Sequence, residues 1–371
     1  MANMNIRTPE FYPDKIRQLK SRGGTVASII TGSDLIDFQT GNISSLHNGK
    51  PLDLCTFNTS ADQDGHVLLN YNFGSSTFRT TYIAVLNHNL NSCNGKIRVF
   101  AGNTATSIDD VNGASAEADA FGDFSVYQVV NCGEIHIGVP SGTANRKSIH
   151  VHPSTDGTTI FKIIDGSLAS GSDFTGFRYI GVQIEGHDSS SDTGSNGNFD
   201  ASTDLSIGGV EIGETYKMSS SPDLAVSRSI IYDTTTIQQS IGGQRYASMT
   251  SLGRTSTLTS KSPFSLANYQ QYANSGRIAY EMSFSYLQSS DLMPTEYGQV
   301  DNANDSFITD VWDVTQGNFH PFIFSIDSES TSLETEASSE FIYARFTQDS
   351  LKMDQVAPDV FNISLKIEEE F

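Results

Sequence analysis

Six apolar runs of five to seven residues follow one another at 67–73, 81–87, 96–100, 134–139, 148–152 and 159–164, each closed off by Gly, Asn, Ser or Asp. Runs this short are too brief for ordinary helices, and the residues between them are turn formers, so the cadence predicts an antiparallel β-sandwich. Two further runs, 177–184 (Phe-Arg-Tyr-Ile-Gly-Val-Gln-Ile) and 205–212 (Leu-Ser-Ile-Gly-Gly-Val-Glu-Ile), have the period of paired strands and would close it. Between them the stretch from His187 to Asp204 is almost wholly Ser, Asp, Gly, Asn and Thr, and is expected as a displayed loop.

The chain of 371 residues is long enough for two ordinary domains. The expected fold class is mainly β, in three parts. Residues 1–48 form an N-terminal arm with a short helix, 49–215 the sandwich, and 216–371 a second β-barrel or sandwich domain with one or two short helices. In the arm, residues 8–24 suit a helix: Pro13 fits a first turn, Asp14 complements its N-terminus, and Gly23 or Gly24 would end it. Its apolar face is only Phe11, Ile16 and Leu19, so the arm must pack on its own domain or on a neighbour.

In the second domain, 280–287 and 361–368 alternate apolar with polar side chains, and Phe361, Ile363, Leu365 and Ile367 would share one face. Residues 306–314 have the spacing of a short helix that would bury Trp312, the only tryptophan, and 265–272 form a weaker one.

Charge restricts the partners. The net charge is -21, which would repel a polyanion, so nucleic acid is not an expected ligand. Residues 281–371 hold 18 acidic against 3 basic residues, whereas the first 24 hold five basic against two acidic. A basic leading arm and an acidic C-terminal domain would attract one another between copies, and a solubilising surface is the plainer reading. The beginning of the sequence lacks a signal-like apolar core, and no run is long enough to span a bilayer, so membrane insertion is not expected. Cys55, Cys93 and Cys132 are odd in number and are read as free, buried thiols of a protein made in a reducing cytoplasm.

Few residues suggest chemistry. His150 and His152 would share one face of a strand, a metal-compatible geometry, yet no third or fourth ligand accompanies them, and a structural pair is the first reading. Asp62, Asp64 and Gly65, and the loop residues Asp188, Asp192, Asp200 and Asp204, offer oxygen ligands for Ca²⁺ without the spacing of an EF-hand, and turn formation explains them first. The glycine pairs at 23–24, 208–209 and 242–243 make no phosphate-binding loop. Tyr71, Tyr82, Tyr127 and Tyr179 are stacking platforms for a sugar only if they face outward, and strand aromatics more often face a core. No catalytic, cofactor-binding or metal residue is therefore assigned, and no cofactor is expected.

Two segments carry a resemblance. Ile83-Ala-Val-Leu-Asn-His-Asn-Leu-Asn, Gly95-Lys-Ile-Arg-Val, the 177–184 run and the 205–213 run resemble the galactose-binding-like sandwich of tailed-bacteriophage tail proteins. Downstream, Gly242-Gly-Gln-Arg-Tyr, residues 282–287, Thr315-Gln-Gly-Asn-Phe-His-Pro-Phe-Ile-Phe and Phe341-Ile-Tyr-Ala-Arg-Phe are similar to ring-forming distal-tail and baseplate components. The resemblance implies a non-enzymatic virion protein of the tail, assembled in the host cytoplasm. Its partners would be copies of itself in a ring and other tail proteins such as tube, hub, adaptor or fibre. The alternative is a carbohydrate-binding receptor protein whose sandwich loops, 187–204 included, grip a host glycan.

Overall fold

The structure is a computed structural model that describes residues 8–21, 27–29, 35–73, 80–102, 126–128, 149–153, 156–163, 179–187, 197–231, 235–249, 277–294, 306–327 and 341–370. The chain is mainly β: its described strands pair antiparallel, and its described helices are short.

Three sheets stack into layers. A five-stranded sheet, in the order Ala27–Ile29, His66–Asn72, Tyr179–Gly186, Gly95–Gly102, Ile149–Val151, faces a four-stranded sheet ordered Gly209–Gly213, Tyr82–His88, Gly157–Ile163, Val126–Gln128. Val67, Leu69, Tyr71, Ile180, Val182 and Ile184 from the first meet Ile83, Val85, Val210 and Ile212 from the second in one core. A three-stranded sheet of Leu205–Ile207, Cys55–Phe57 and Phe38–Thr40 adds Phe57, Leu205 and Ile207 to it. The other face of the four-stranded sheet is also covered. Tyr82, Ala84 and Leu86 pack against Tyr12, Ile323, Phe341 and Tyr343 of a larger third sheet.

That third sheet runs Tyr216–Lys217, Glu10–Pro13, Phe322–Ser325, Phe341–Phe346, Val360–Glu369, Arg277–Gln288, Ser227–Ile231, and Met353–Ala357 pairs with Val360–Glu369 as well. Its far face carries the second core, in which Phe11, Phe322, Phe324 and Phe346 close on Phe307 and Val311 of a helical segment. Burial on both faces accounts for the unbroken apolar runs at 82–86, 322–324 and 341–344, because a strand with no wet face has no reason to alternate. Val360–Glu369 does alternate, with Ile363, Leu365 and Ile367 buried and Ser364 and Lys366 exposed, as its sequence predicts.

Several expectations change. Residues 8–24 are not a helical arm: Glu10–Pro13 is a strand inside the third sheet, and among the described residues of this stretch the helix is Lys15–Ser21. Phe11 and Ile16 do not share an apolar face, since Phe11 enters the second core and Ile16 the first. Phe11 sits 5.5 Å from Phe307 and 5.2 Å from Phe324, ring centre to ring centre. Of the two runs expected to close the sandwich, Tyr179–Gly186 and 205–212 lie in different sheets. Gly208 lies between the strands Leu205–Ile207 and Gly209–Gly213, dividing the second run between two sheets. Trp312 is only half-buried, beside Phe346 at 5.2 Å, while Phe307, Val311 and Val314 take the buried positions. The runs at 134–139 and 265–272 lie outside the described residues.

Candidate functional site

A cluster of buried ionisable groups lies at the meeting of the N-terminal segment, the four-stranded sheet and the third sheet; a separate buried pair, Lys96 with Glu185 at 3.1 Å, sits in the five-stranded sheet. Glu211 alternates with Val210 and Ile212, so its side chain points away from the first core and toward the third sheet. There it accepts from the Arg17 guanidinium at 2.6 Å and from the Tyr343 hydroxyl at 3.0 Å. Arg17 also donates to the Tyr343 oxygen at 2.8 Å and to the Pro321 carbonyl at 3.3 Å.

Asp14 lies 3.3 Å from the same guanidinium and caps the helix that carries Arg17, accepting from the Ile16 amide at 3.0 Å. It also accepts from the Ile212 amide at 3.3 Å, tying the helix start to the strand edge. The approach is so close that a side chain at Gly213 would collide with the Pro13 carbonyl, which is why glycine stands there. Tyr82 donates to the Tyr12 carbonyl at 3.0 Å, and Lys15 pairs with Glu214 at 2.6 Å.

Burial dominates the titration of these groups. It pushes the Glu211 carboxyl up to about 7 and Asp14 above the usual carboxylate range, both opposed by Arg17. Burial acts to lower Arg17, but Tyr343, Glu211 and Asp14 outweigh it and raise the guanidinium further. His47, against Tyr71 and with Nδ1 at 3.1 Å from the Val210 carbonyl, is held neutral, pushed down by burial to about 3. This cluster fastens the layers together: Tyr12, Asp14, Arg17, Tyr82, Glu211 and Tyr343 are all buried, and Lys15 at its margin is partly exposed.

The residues singled out from sequence are mostly structural. Tyr71 and Tyr82 are fully buried, one in each face of the double-sided packing, and are not platforms; the side chains of Tyr127 and Tyr179 lie outside the described set. His152 is bonded through Nδ1 to the Gly95 carbonyl at 2.8 Å and stacks on His187 with ring centres 3.8 Å apart; the His150 side chain is outside the described set. Asp204 accepts from the Ser60 amide, and Asp200 from the amide and hydroxyl of Ser202, which hold its carboxyl below the usual range. The Asp62 carbonyl accepts from the Gly65 amide in a turn, and Asp188 and Asp192 lie outside the described residues. Among the described residues no three His, Cys, Asp or Glu side chains gather to hold a metal ion.

Cys55 and Cys93 are buried and free, with Cys93 pushed up by burial to about 12; Cys132 is outside the described set. The loop expected to be displayed is tied down over 197–204. Phe199 is buried in the first core, its amide donates to the Gln63 carbonyl at 2.9 Å, and Asn94 donates to the Asn198 carbonyl at 2.8 Å.

What the body leaves open is at the end of the third sheet. Among the described residues Ser227–Ile231 is an edge strand, exposed along its length apart from Ile231, which is partly covered. Further along the chain Thr235–Gln239 and Arg245–Met249 pair as a hairpin, a sheet of two strands among the described residues. Its turn is set by Gly243 at φ +84° and by the Ser240 hydroxyl accepting from the Gln244 amide at 3.1 Å. From 236 to 247 every residue but Ser240 is exposed. Ile237 and Tyr246 lie on opposite faces of the hairpin and are 65% and 59% exposed, and Ile241 at the tip is wholly exposed. Sequence patterning missed this feature because so polar a segment, Thr-Thr-Ile-Gln-Gln, carries almost no apolar periodicity.

No protein-family model matches this chain, and no curated protein or solved structure matches it. No helix among the described residues is long and apolar enough to cross a membrane.

Proposed function

We propose that this chain is a non-enzymatic structural subunit of a phage tail, of distal-tail, baseplate or adaptor type. It acts by assembling with copies of itself and docking other tail proteins. The observation that carries the reading is the hairpin at 235–249. A two-stranded hairpin is marginal in water without a layer beneath it, none of the described residues supplies one here, and this hairpin exposes isoleucine or tyrosine on both faces and at its tip. A segment built in this way becomes ordered by burial against another chain. The resemblance of 83–91, 95–99, 177–184 and 205–213, and of the downstream segments, to tail proteins supports the identity of the assembly as a virion tail. The cluster around Arg17 supports a structural role too, because its buried members brace the layers.

Imaging of the purified full-length chain, together with protein mass spectrometry of purified virions, tests the reading. Closed multimeric particles and presence in the tail are expected. A stable monomer that is missing from virions would overturn it.

A further inference from the structure

One face of the third sheet meets two different surroundings. Along Glu10–Pro13, Phe322–Ser325 and Phe341–Phe346 the face turned away from the second core is covered, with Tyr12, Ile323 and Tyr343 packed against the four-stranded sheet. Along Val360–Glu369 and Arg277–Gln288 the same face is wet: Ser364 and Lys366 are exposed, and Ser283 and Asn362 are partly so. There a groove of about 470 Å³ crosses three strands, within the range of roughly 300–1,000 Å³ that holds small ligands.

The charges that line the groove are already paired. Lys352 meets Asp354 at 2.9 Å, and Lys366 meets Glu281 at 3.2 Å, so with these pairs counted the groove has no net charge. Residues 281–371 around it carry a net of -15, which repels an anion that the lysines would otherwise draw. What remains for a ligand is a mixture of neutral donors and acceptors. Ser283 and Ser364 share one hydrogen bond at 3.0 Å, which leaves one hydroxyl proton between them to donate. Asn362 spends its side-chain carbonyl on the Tyr286 amide at 3.0 Å, and its NH₂ group has no partner among the described residues. Hydroxyls beside an amide match the vicinal hydroxyls of a sugar, each of which both donates and accepts.

The strand Arg277–Gln288 bulges at this groove. Phe284 and Leu287 both face the second core, so Ser285 and Tyr286 between them oppose Asn362 alone, and the extra residue stands on the wet side. Ser285 and Asn362 both line the groove, which puts Tyr286 at its rim. Tyr286 has φ +61°, a strained conformation for an aromatic residue, and is 75% exposed, so its own packing does not offset the strain. A ring displayed at the rim of a polar groove offers a flat face to the C–H side of a sugar ring.

We propose that this groove is a binding site for a neutral oligosaccharide. Tyr286 stacks on one sugar ring, while Ser283, Ser364 and Asn362 bond its hydroxyls. The site lies on the third sheet and not in the sandwich loop at 187–204, whose described part is tied to the first core. It is formed within one chain and is independent of the assembly reading.

A glycan array probed with the full chain tests it, carrying neutral glucans, galactans, mannans and N-acetylhexosamine oligomers beside sialylated, sulfated and uronic acid glycans. The neutral oligosaccharide with the strongest signal is then titrated by calorimetry into the unaltered chain, Y286A, Y286F and S364L. Tyr286 and Ser364 are exposed and outside the cores, so thermal unfolding should be unchanged in each variant. Saturable binding is expected, weakened by about tenfold or more in Y286A and in S364L and little changed in Y286F. Binding of charged glycans only, binding of none, or a neutral oligosaccharide held equally well by Y286A and S364L would overturn the proposal.

Discussion

Replacing Arg17 by Met removes the only cation the structure places against Glu211 and Asp14 among the described residues, and leaves two carboxylates in a closed interior. The guanidinium makes a 2.6 Å bond to Glu211, a 2.8 Å bond to Tyr343 and a weaker one to Pro321. Removing one partner of such a buried set costs about 3–5 kcal/mol. The pH dependence carries the sharper test. Even with Arg17 present, burial pushes Glu211 from 4.5 up to about 7; at ~1.4 kcal/mol per tenfold, this corresponds to roughly 3 kcal/mol at pH 8 and under ~1 kcal/mol at pH 5.

A carboxyl raised in the folded state contributes stability that is complete below about 4.5 and is lost as pH rises through about 7. Without Arg17 both carboxyls rise further, so the deficit of R17M should be largest at pH 8 and should shrink on acidification to pH 5. Urea unfolding followed by circular dichroism across pH 5–9 measures it. A second replacement, Glu211→Leu on top of R17M, should recover much of the loss. A deficit below ~1 kcal/mol, or one independent of pH, would refute the view that this cluster fastens the N-terminal segment to the sheets.

Three further outcomes are expected. His88 is buried, with Leu90 donating to Nδ1 and Nε2 bonded to Thr159 at 2.7 Å, and burial lowers it to about 3; its contribution is present above 6.5 and lost as pH falls toward 3, about 2 kcal/mol by pH 5, and H88Q should flatten the acid limb of the urea midpoint by that amount. Phe11→Ala should cost about 3–5 kcal/mol in chemical denaturation, because its ring is enclosed by Phe307, Phe322, Phe324 and Phe346, and a loss under ~1 kcal/mol would remove the N-terminal segment from the second core. Tyr286→Gly should leave stability unchanged or raise it by about 1 kcal/mol in urea unfolding, since glycine relieves the positive φ, and a loss above ~1 kcal/mol would show the tyrosine to be a folding residue.

The strands were largely legible in the sequence, because Val67, Leu69 and Tyr71, or Ile363, Leu365 and Ile367, repeat at the period of an extended chain. The layering was not. Phe11 and Tyr12 are neighbours that enter different cores, and a helical periodicity that joins Phe11 to Ile16 looks equally good until the partners of each are known. Glu211 reads as the wet face of a half-buried strand, since nothing local announces that Tyr343, 132 residues further on, will cover it. Phe199 was hidden in the same manner, one aromatic among serines, aspartates and glycines, yet it anchors 197–204 to the first core. The hairpin is the reverse case. Its polar sequence is consistent with exposure, but only the fold shows that none of the described residues covers the isoleucines and the tyrosine on it.

Hydrogen exchange of the full chain as a function of protein concentration tests the central claim most directly, by reading the amides of Thr235–Gln239 and Arg245–Met249 one by one. Covered by a neighbouring copy, those amides should exchange at least tenfold more slowly in concentrated protein than in dilute, while the core strand Tyr82–His88 exchanges alike in both. Equal and rapid exchange of the hairpin at every concentration would contradict the account.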